Sequence, residues 1–309
     1  MPDPTGPVLK FARRHFPDAK AREAFLAAWS SGTSGRPALL RIRDIPAPGY
    51  PVLPPAPWQP GCVDSLPDEV RAGRLAEHAS GEVYSLDLSS VFAARPLFDL
   101  PTGLERVIDV CASPGGKACL AWRALAPRSL VVNEAIPKRV AALTENLDRC
   151  RIAAEQVHNR DPAALADRYI EAADVVVVDA PCSGQSLPAR GIDNPGCFHP
   201  MNVGMNAGRQ RRILAESARM VRPGGWLLYS TCTYAPEENE RNVRWLVEHF
   251  PDFQPQEVPA LADHSGLDPE RPSYRLWPQE CFGAGAFTCL MRRSPSPVQG
   301  PEPSGEPLL

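Results

Sequence analysis

The sequence predicts an α/β fold: a doubly wound, mostly parallel sheet with helices on both faces and a small N-terminal extension. Three observations lead there. Short apolar runs alternate with helical patterns between residues 106 and 291, the pattern of a parallel sheet crossed by helices. One run, Ala173–Asp179, carries four consecutive valines, and such a strand is covered on both faces. The polar, glycine- and cysteine-bearing motifs each follow an apolar run, at the carboxyl ends of strands where open parallel sheets bind ligands.

The elements follow in order. Asp18 to Trp29 places Ala21, Phe25, Ala28 and Trp29 on one helical face. Ile45 to Pro60 has seven prolines in sixteen residues and is expected to be an extended connector of polyproline character. Arg106–Cys111 is a first buried strand, with a helix from about Lys117 to Leu125. Ser129–Asn133 is a second strand, and Lys138 to Cys150 a helix with Val140, Leu143 and Leu147 on its apolar side. Glu155–His158 is a short strand, and the valine strand follows. Arg209 to Met220 is helical and stops at Pro223-Gly-Gly225. Gly225–Tyr229 is a strand, Glu237 to His249 a helix, and Ala286 to Met291 a late strand. Ser294 to Leu309 is Pro, Ser and Glu with little to bury and is expected to be a disordered tail.

The 309 residues carry a net charge of −3 and are 43% hydrophobic. A mildly acidic chain does not wrap nucleic acid by overall charge, although a local basic groove remains open to it. None of the nine cysteines forms a CxxC pair or a zinc-spaced cluster, so no metal is expected. Neither a secretory leader nor a run long enough to span a membrane is visible, and the thiols are expected to stay free in the cytoplasm.

Asp109-Val-Cys-Ala-Ser-Pro-Gly-Gly-Lys117 ends the first strand. Its paired glycines let the backbone turn sharply beneath a ligand. It is neither GxGxxG nor a P-loop, so a phosphate is not its natural guest. Glu134, ending the second strand, can accept ribose hydroxyls, or serve only as an acid at a helix start. Asp161, after the third strand, is positioned for an adenine amino group, or marks a helix start. Together these point to an adenosyl cofactor held by Cys111, Ala112, Ser113, Pro114, Gly115, Gly116, Lys117, Glu134, Asp161 and Asp179. Two cysteines sit just past strand ends, in Asp179-Ala-Pro-Cys-Ser-Gly184 and Ser230-Thr-Cys-Thr-Tyr-Ala-Pro-Glu-Glu-Asn-Glu240.

In order and spacing, these three motifs resemble those of the Nop/Sun (RsmB-type) family of RNA cytosine-5 methyltransferases, over roughly residues 80–293. The resemblance implies a Rossmann-like methyltransferase with a seven-stranded sheet. It also implies S-adenosyl-L-methionine as cofactor and a cytosine of ribosomal or transfer RNA as substrate. Cys232 is implied as the attacking thiol and Cys182 as the cysteine that removes the carbon 5 proton. Asp179 is implied to hydrogen-bond the base, and Lys117 to support the base or Asp179. The chemistry requires such residues: carbon 5 of cytosine is a poor nucleophile until a thiolate adds to carbon 6. Cys62, Cys119, Cys150, Cys281 and Cys289 are expected to be buried hydrophobes, and Cys111 to serve packing and backbone contacts.

Some positions depart from the family pattern. Leu86 stands where a glutamine often precedes Asp87, Ser113 replaces alanine, and residues 185–200 lack the family's arginine-and-Pro-Asp pattern. His199 and Asn206 face the base or RNA, or serve the loop. Glu237, Glu238 and Glu240 are read as helix-start acids and Asn239 as a brace for the Cys232 loop. Arg209, Arg211 and Arg212 form a cluster read as a solvated helix face. The expected organisation is an extension over residues 1–78 with an RNA-binding role, a catalytic domain over 79–293 and a tail over 294–309. The protein is expected to act on RNA as a monomer, away from membranes.

Overall fold

The computed structural model describes residues 6–44 and 49–295. The first part of the Pro-rich connector (45–48) and most of the expected tail (296–309) lie outside the described residues. In chain order the helices are α1 (Gly6–His15), α2 (Ala19–Ser30), α3 (Ala76–Ala79), α4 (Leu88–Ala94), α5 (Gly116–Leu125), α6 (Pro137–Arg149), α7 (Pro162–Ala166), α8 (Pro200–Met220) and α9 (Glu240–His249). The strands are β1 (Pro37–Arg41), β2 (Val63–Ser65), β3 (Val83–Asp87), β4 (Arg106–Asp109), β5 (Ser129–Asn133), β6 (Gln156–His158), β7 (Ala173–Asp179), β8 (Val221–Thr231), β9 (Phe253–Pro255), β10 (Tyr274–Leu276) and β11 (Ala286–Arg293).

The main sheet runs β10-β11-β8-β7-β4-β5-β6, seven strands on its path, with β9 added against β11. The stretch from β6 to β8 is parallel, and β11 follows antiparallel to β8, with β10 and β9 paired on its far side. Strand order reverses at β4, which has β5 on one side and β7 on the other. That reversal opens a crevice at the carboxyl ends. The valine strand behaves as its composition requires. Val175 and Val177 join the core under α4 to α6, and Val176 and Val178 the core under α8 and α9. Full burial of each valine contributes about 1.5–3 kcal/mol.

Several boundaries differ from the sequence reading. Helix α8 starts at Pro200, not Arg209, because Pro200 occupies its first turn and His199 Nδ1 accepts from Met201 N–H at 3.3 Å. Strand β8 begins at Val221 and runs through the expected stop at Pro223-Gly-Gly225, with a register irregularity opposite Ala173/Val175. Gly225 is required there, since a Cβ would lie 2.9 Å from the Asp174 carbonyl oxygen. Helix α9 begins at Glu240 rather than Glu237, because the residues before it turn inward.

A second, three-stranded sheet, β2-β1-β3, was not expected. It pairs β1 and β2 from before residue 79 with β3 from after it. From the connector, Trp58 is buried edge-on to Phe92. Helices α1 and α2 pack Phe11, Phe25 and Trp29 against Phe198 and Tyr234, just behind the second cysteine loop. Among the described residues no helix is long and apolar enough to cross a membrane.

Candidate active site

The crevice is a cleft of about 2080 Å³, larger than the few hundred to ~1,000 Å³ that a single small ligand fills. Cys111, Ser113, Pro114, Glu134, Asp161, Asp179, Cys182 and Cys232 all line it. Ala112, Gly115, Gly116 and Lys117 stand behind this surface. Gly115 has φ +118, and a Cβ there would touch Asn146, Leu143 and Tyr84 at ordinary contact distance. Glycine is therefore demanded by the backbone angle. Asn146 Nδ2 at 2.9 Å and the Tyr84 hydroxyl at 3.3 Å donate to the Pro114 carbonyl and hold the loop from outside.

The cofactor-side acids are held by near neighbours. Glu134 is buried; its Oε1 accepts from Ile136 N–H at 2.9 Å. Its Oε2 lies 3.2 Å from Arg139 Nη1 but receives no aligned hydrogen bond. A buried acceptor with spare lone pairs beside the cleft suits vicinal hydroxyls, so the residues present fit an adenosyl group. Asp161 caps α7 through Ala163 N–H at 2.9 Å, as the helix-start reading has it, and also lines the cleft. Asp109 is fully buried under the loop, its Oδ1 accepting from Cys111 N–H at 3.3 Å and its Oδ2 unpartnered. Burial, then the nearby Asp179, push its pKa up to about 8.

On the other side, β7 and β8 end next to each other and bring two cysteine loops together. The sulfurs of Cys182 and Cys232 are 3.2 Å apart. Cys232 is exposed and Cys182 half-buried. The hydrogen bond from Cys182 lowers the Cys232 thiol below its usual range, with help from Lys117 and Ser186 and against Asp179. Cys182 is pushed well up by the same bond and by burial. The bond thus shifts the two thiols in opposite directions, Cys232 down and Cys182 up. Asp179 sits beside it, accepting from Ser230 Oγ at 2.7 Å and from Lys117 Nζ at 3.2 Å.

Both loops are braced by side chains from distant parts of the chain. Glu238 is fully buried and accepts on Oε2 from Ser183 N–H at 2.9 Å and Gln210 Nε2 at 2.8 Å. Gln210 Nε2 also reaches the Pro181 carbonyl at 3.0 Å. The hydroxyls of Ser183 and Thr233, each just past a cysteine, bond at 2.8 Å. Asn239 accepts from Thr231 Oγ1 at 2.6 Å and donates to the Thr233 carbonyl at 2.9 Å, the bracing role expected for it. Asn194 Nδ2 donates to the carbonyls of Ser183 and Gly184. Trp29 Nε1 donates to the Gln185 carbonyl at 2.9 Å, tying α2 to the same loop. Of the acids read as helix-start residues, only Glu240 lies in α9, and it forms a buried ion pair with Arg275.

Gln210, Asn194 and Arg139 carry no motif signal; the fold brings Asn194 and Arg139 to the cleft wall and Gln210 beneath the first cysteine loop. Asn206 is buried and bonds back to the Asn202 carbonyl at 2.8 Å, and His199 serves as a helix cap. Arg211 donates to Asn242 at 2.9 Å instead of facing solvent freely. Cys119, Cys150 and Cys289 are buried as expected, but Cys62 is half-buried and Cys281 exposed. Cys281 ends a tight turn at φ +64, which carries its side chain off the core. Burial, then Asp109, raises the Cys111 thiol.

Residues 99–292 match the family described as 16S rRNA methyltransferase RsmB/F. A ribosomal RNA small subunit methyltransferase F of Pectobacterium carotovorum is 30% identical over 260 residues, which is 81% of this chain and 53% of that protein. The protein of the same name from Klebsiella pneumoniae is 34% identical over 218 residues, 68% of this chain and 45% of that one. The chain thus spans about half the length of the curated relatives it matches. Among solved structures, a methyltransferase homologue from Pyrococcus horikoshii superimposes with a TM-score of 0.74 at 20% identity, over 89% of this chain and 91% of that one. This likeness establishes the Rossmann-like methyltransferase fold.

Proposed function

The chain belongs to the 16S rRNA methyltransferase RsmB/F family, and on that premise we propose that it is an RNA (cytosine-5)-methyltransferase. Its cofactor would be S-adenosyl-L-methionine and its nucleophile Cys232. The small-subunit methyltransferase names of its relatives favour ribosomal over transfer RNA. The observation that carries the reading is the pair of sulfurs at 3.2 Å, one a lowered and exposed thiol, in the same cleft as the glycine loop. A transferase that methylates an exocyclic nitrogen needs neither sulfur.

The cytosine leaves its stack to enter the cleft. Asp179 accepts from its amino group, and the Lys117 ammonium beside Asp179 draws electron density from the ring. Cys232 thiolate adds to carbon 6; the ring double bond shifts and carbon 5 becomes nucleophilic. The cofactor, held by the glycine loop and Glu134, would supply an electrophilic methyl group to carbon 5, its sulfonium leaving as a neutral thioether. With Cys232 sulfur now in a carbon–sulfur bond, no negative charge holds the Cys182 proton, and Cys182 loses it to cleft water. The Cys182 thiolate then takes the carbon 5 proton. Those electrons restore the 5,6 double bond and expel Cys232 as thiolate.

The test is transfer of labelled methyl from S-adenosyl-L-methionine to small-subunit ribosomal RNA, followed by digestion to nucleosides. Label is expected in 5-methylcytidine with native protein and absent with Cys232→Ala. Label in another nucleoside, or transfer that survives Cys232→Ala, contradicts the proposal.

A further inference from the structure

The chemistry leaves one face of α8 unused. Met201, Gly204, Met205, Gly208, Arg209 and Arg212 are all exposed, and spacings of three and four put them on one stripe. Met201 and Met205 are 72% and 67% exposed, the most open large hydrophobics among the described residues. Single exposed apolar residues are ordinary, but two on successive turns of one stripe make a patch. A Cβ at Gly204 or Gly208 would meet nothing within 4 Å. Glycine inside an exposed helix costs about 1 kcal/mol against alanine, so nothing in this chain's own packing asks for either.

The stripe leads into the cleft, because Gly208, Arg209 and Arg212 line it together with Cys182 and Cys232. Its arginine charges are not neutralised, although Arg209 Nη2 donates to Asn206 Oδ1. Among the described residues Arg209 and Arg212 form no ion pair. Arg219, further along the helix, is held by Asp167 and Glu216. Glu216 is the helix's one acid, so Arg219 also masks it.

We propose that this stripe is the track for the RNA strand that flanks the target cytosine. Arg209 and Arg212 meet its phosphates near the cleft mouth. The bases next to the extruded cytosine have lost a stacking partner, and they lie on the polarizable side chains of Met201 and Met205. Gly204 and Gly208 let the strand approach the helix closely. From Met201 to Arg212 the stripe is about 17 Å long, enough for several nucleotides. The proposal rests on the RNA-methylating function above and names the surface that function uses.

The test measures binding of a labelled, cytidine-containing single-stranded RNA oligonucleotide and of purified small-subunit ribosomal RNA across a salt series. Two double variants are compared with native protein: Arg209→Gln with Arg212→Gln, and Met201→Ser with Met205→Ser. Each contacted phosphate contributes about 0.7 to the slope of log affinity against log salt for a single strand. The arginine pair is therefore expected to flatten that slope by about 1.4. The methionine pair is expected to weaken binding roughly 10-fold with the slope unchanged. S-adenosyl-L-methionine binding and Cys232 alkylation should stay native in both, which shows that the fold is intact. Native affinity and slope in both variants overturn the track while leaving the RNA function standing. If native protein neither binds nor methylates RNA, the function itself falls and takes the track with it. Variants that methylate naked RNA normally but fail on assembled small subunits would show that the stripe meets subunit protein, which also overturns the proposal.

Discussion

The two halves of the cleft are built by different means. On the cofactor side the acids are fastened close by in sequence, Glu134 to Ile136, Asp161 to Ala163 and Asp109 to Cys111, while the Pro114 carbonyl of the glycine loop is braced from farther off by Tyr84 and Asn146. On the cysteine side the fastening is long: Ser183 is held by Glu238, the Pro181 carbonyl by Gln210 and the Gln185 carbonyl by Trp29. Acids held by local turns are in place wherever the strand ends form. A half made of long bonds exists only once β7, β8, α2 and α8 have docked. Damage to the first should weaken cofactor binding; damage to the second should misplace the sulfurs, even from residues that touch no substrate.

Substitutions can break this contrast, and the largest effect is expected at Cys232. Cys232→Ala should lower kcat by roughly 10⁴–10⁶-fold, as loss of a nucleophile does, while calorimetry shows cofactor affinity unchanged. Glu134→Ala should do the reverse. Its loss should raise the KM for cofactor by about 10–100-fold with kcat nearly native, the signature of lost uniform binding. Equal effects of the two on kcat and KM would erase the distinction between the halves.

Glu238→Ala leaves two donors, Ser183 N–H and Gln210 Nε2, without their buried acceptor. It should cost about 1–3 kcal/mol in urea unfolding and slow transfer without changing cofactor affinity. Both donors converge on one oxygen, so Glu238→Gln can keep both bonds and should lie closer to native.

Two pH effects sharpen the comparison. Iodoacetamide should alkylate Cys232 with a midpoint below that of an ordinary thiol, and Cys182→Ala should raise it, because the Cys182 bond is the main cause of the lowering. On the cofactor side, Asp109 has a folded pKa of about 8, above its unfolded value. The folded state then holds the extra proton, so this carboxyl's contribution is full below about pH 4 and is lost as pH rises through 8. Stability measured by denaturant titration should fall across that window, and Asp109→Asn should flatten the fall.

The parts legible in the sequence are those whose causes are local. The valine strand, the glycine turn and the polar loops past strand ends follow from apolar runs and turn residues. The N-terminal half of α8 was not legible, because Gly204, Gly208, Asn202 and Asn206 are poor helix formers and burial of Val203, Ala207 and Gln210 overrides them. Nor was the small sheet, since the five residues of β1 take their state from β2 and β3. Glu238 read as a helix-start acid because its partner Ser183 lies 55 positions away, and no spacing rule reaches that far.

In the proposed mechanism the two sulfurs take turns: Cys232 bonds the base and Cys182 frees it. Incubating Cys182→Ala with small-subunit ribosomal RNA and S-adenosyl-L-methionine, then resolving the products under denaturing conditions, tests this directly. The expected product is a protein–RNA species that survives denaturation, disappears with nuclease, and is absent when Cys232 is also replaced by alanine. Rapid turnover by Cys182→Ala with no such species, or a species that persists without Cys232, would contradict it.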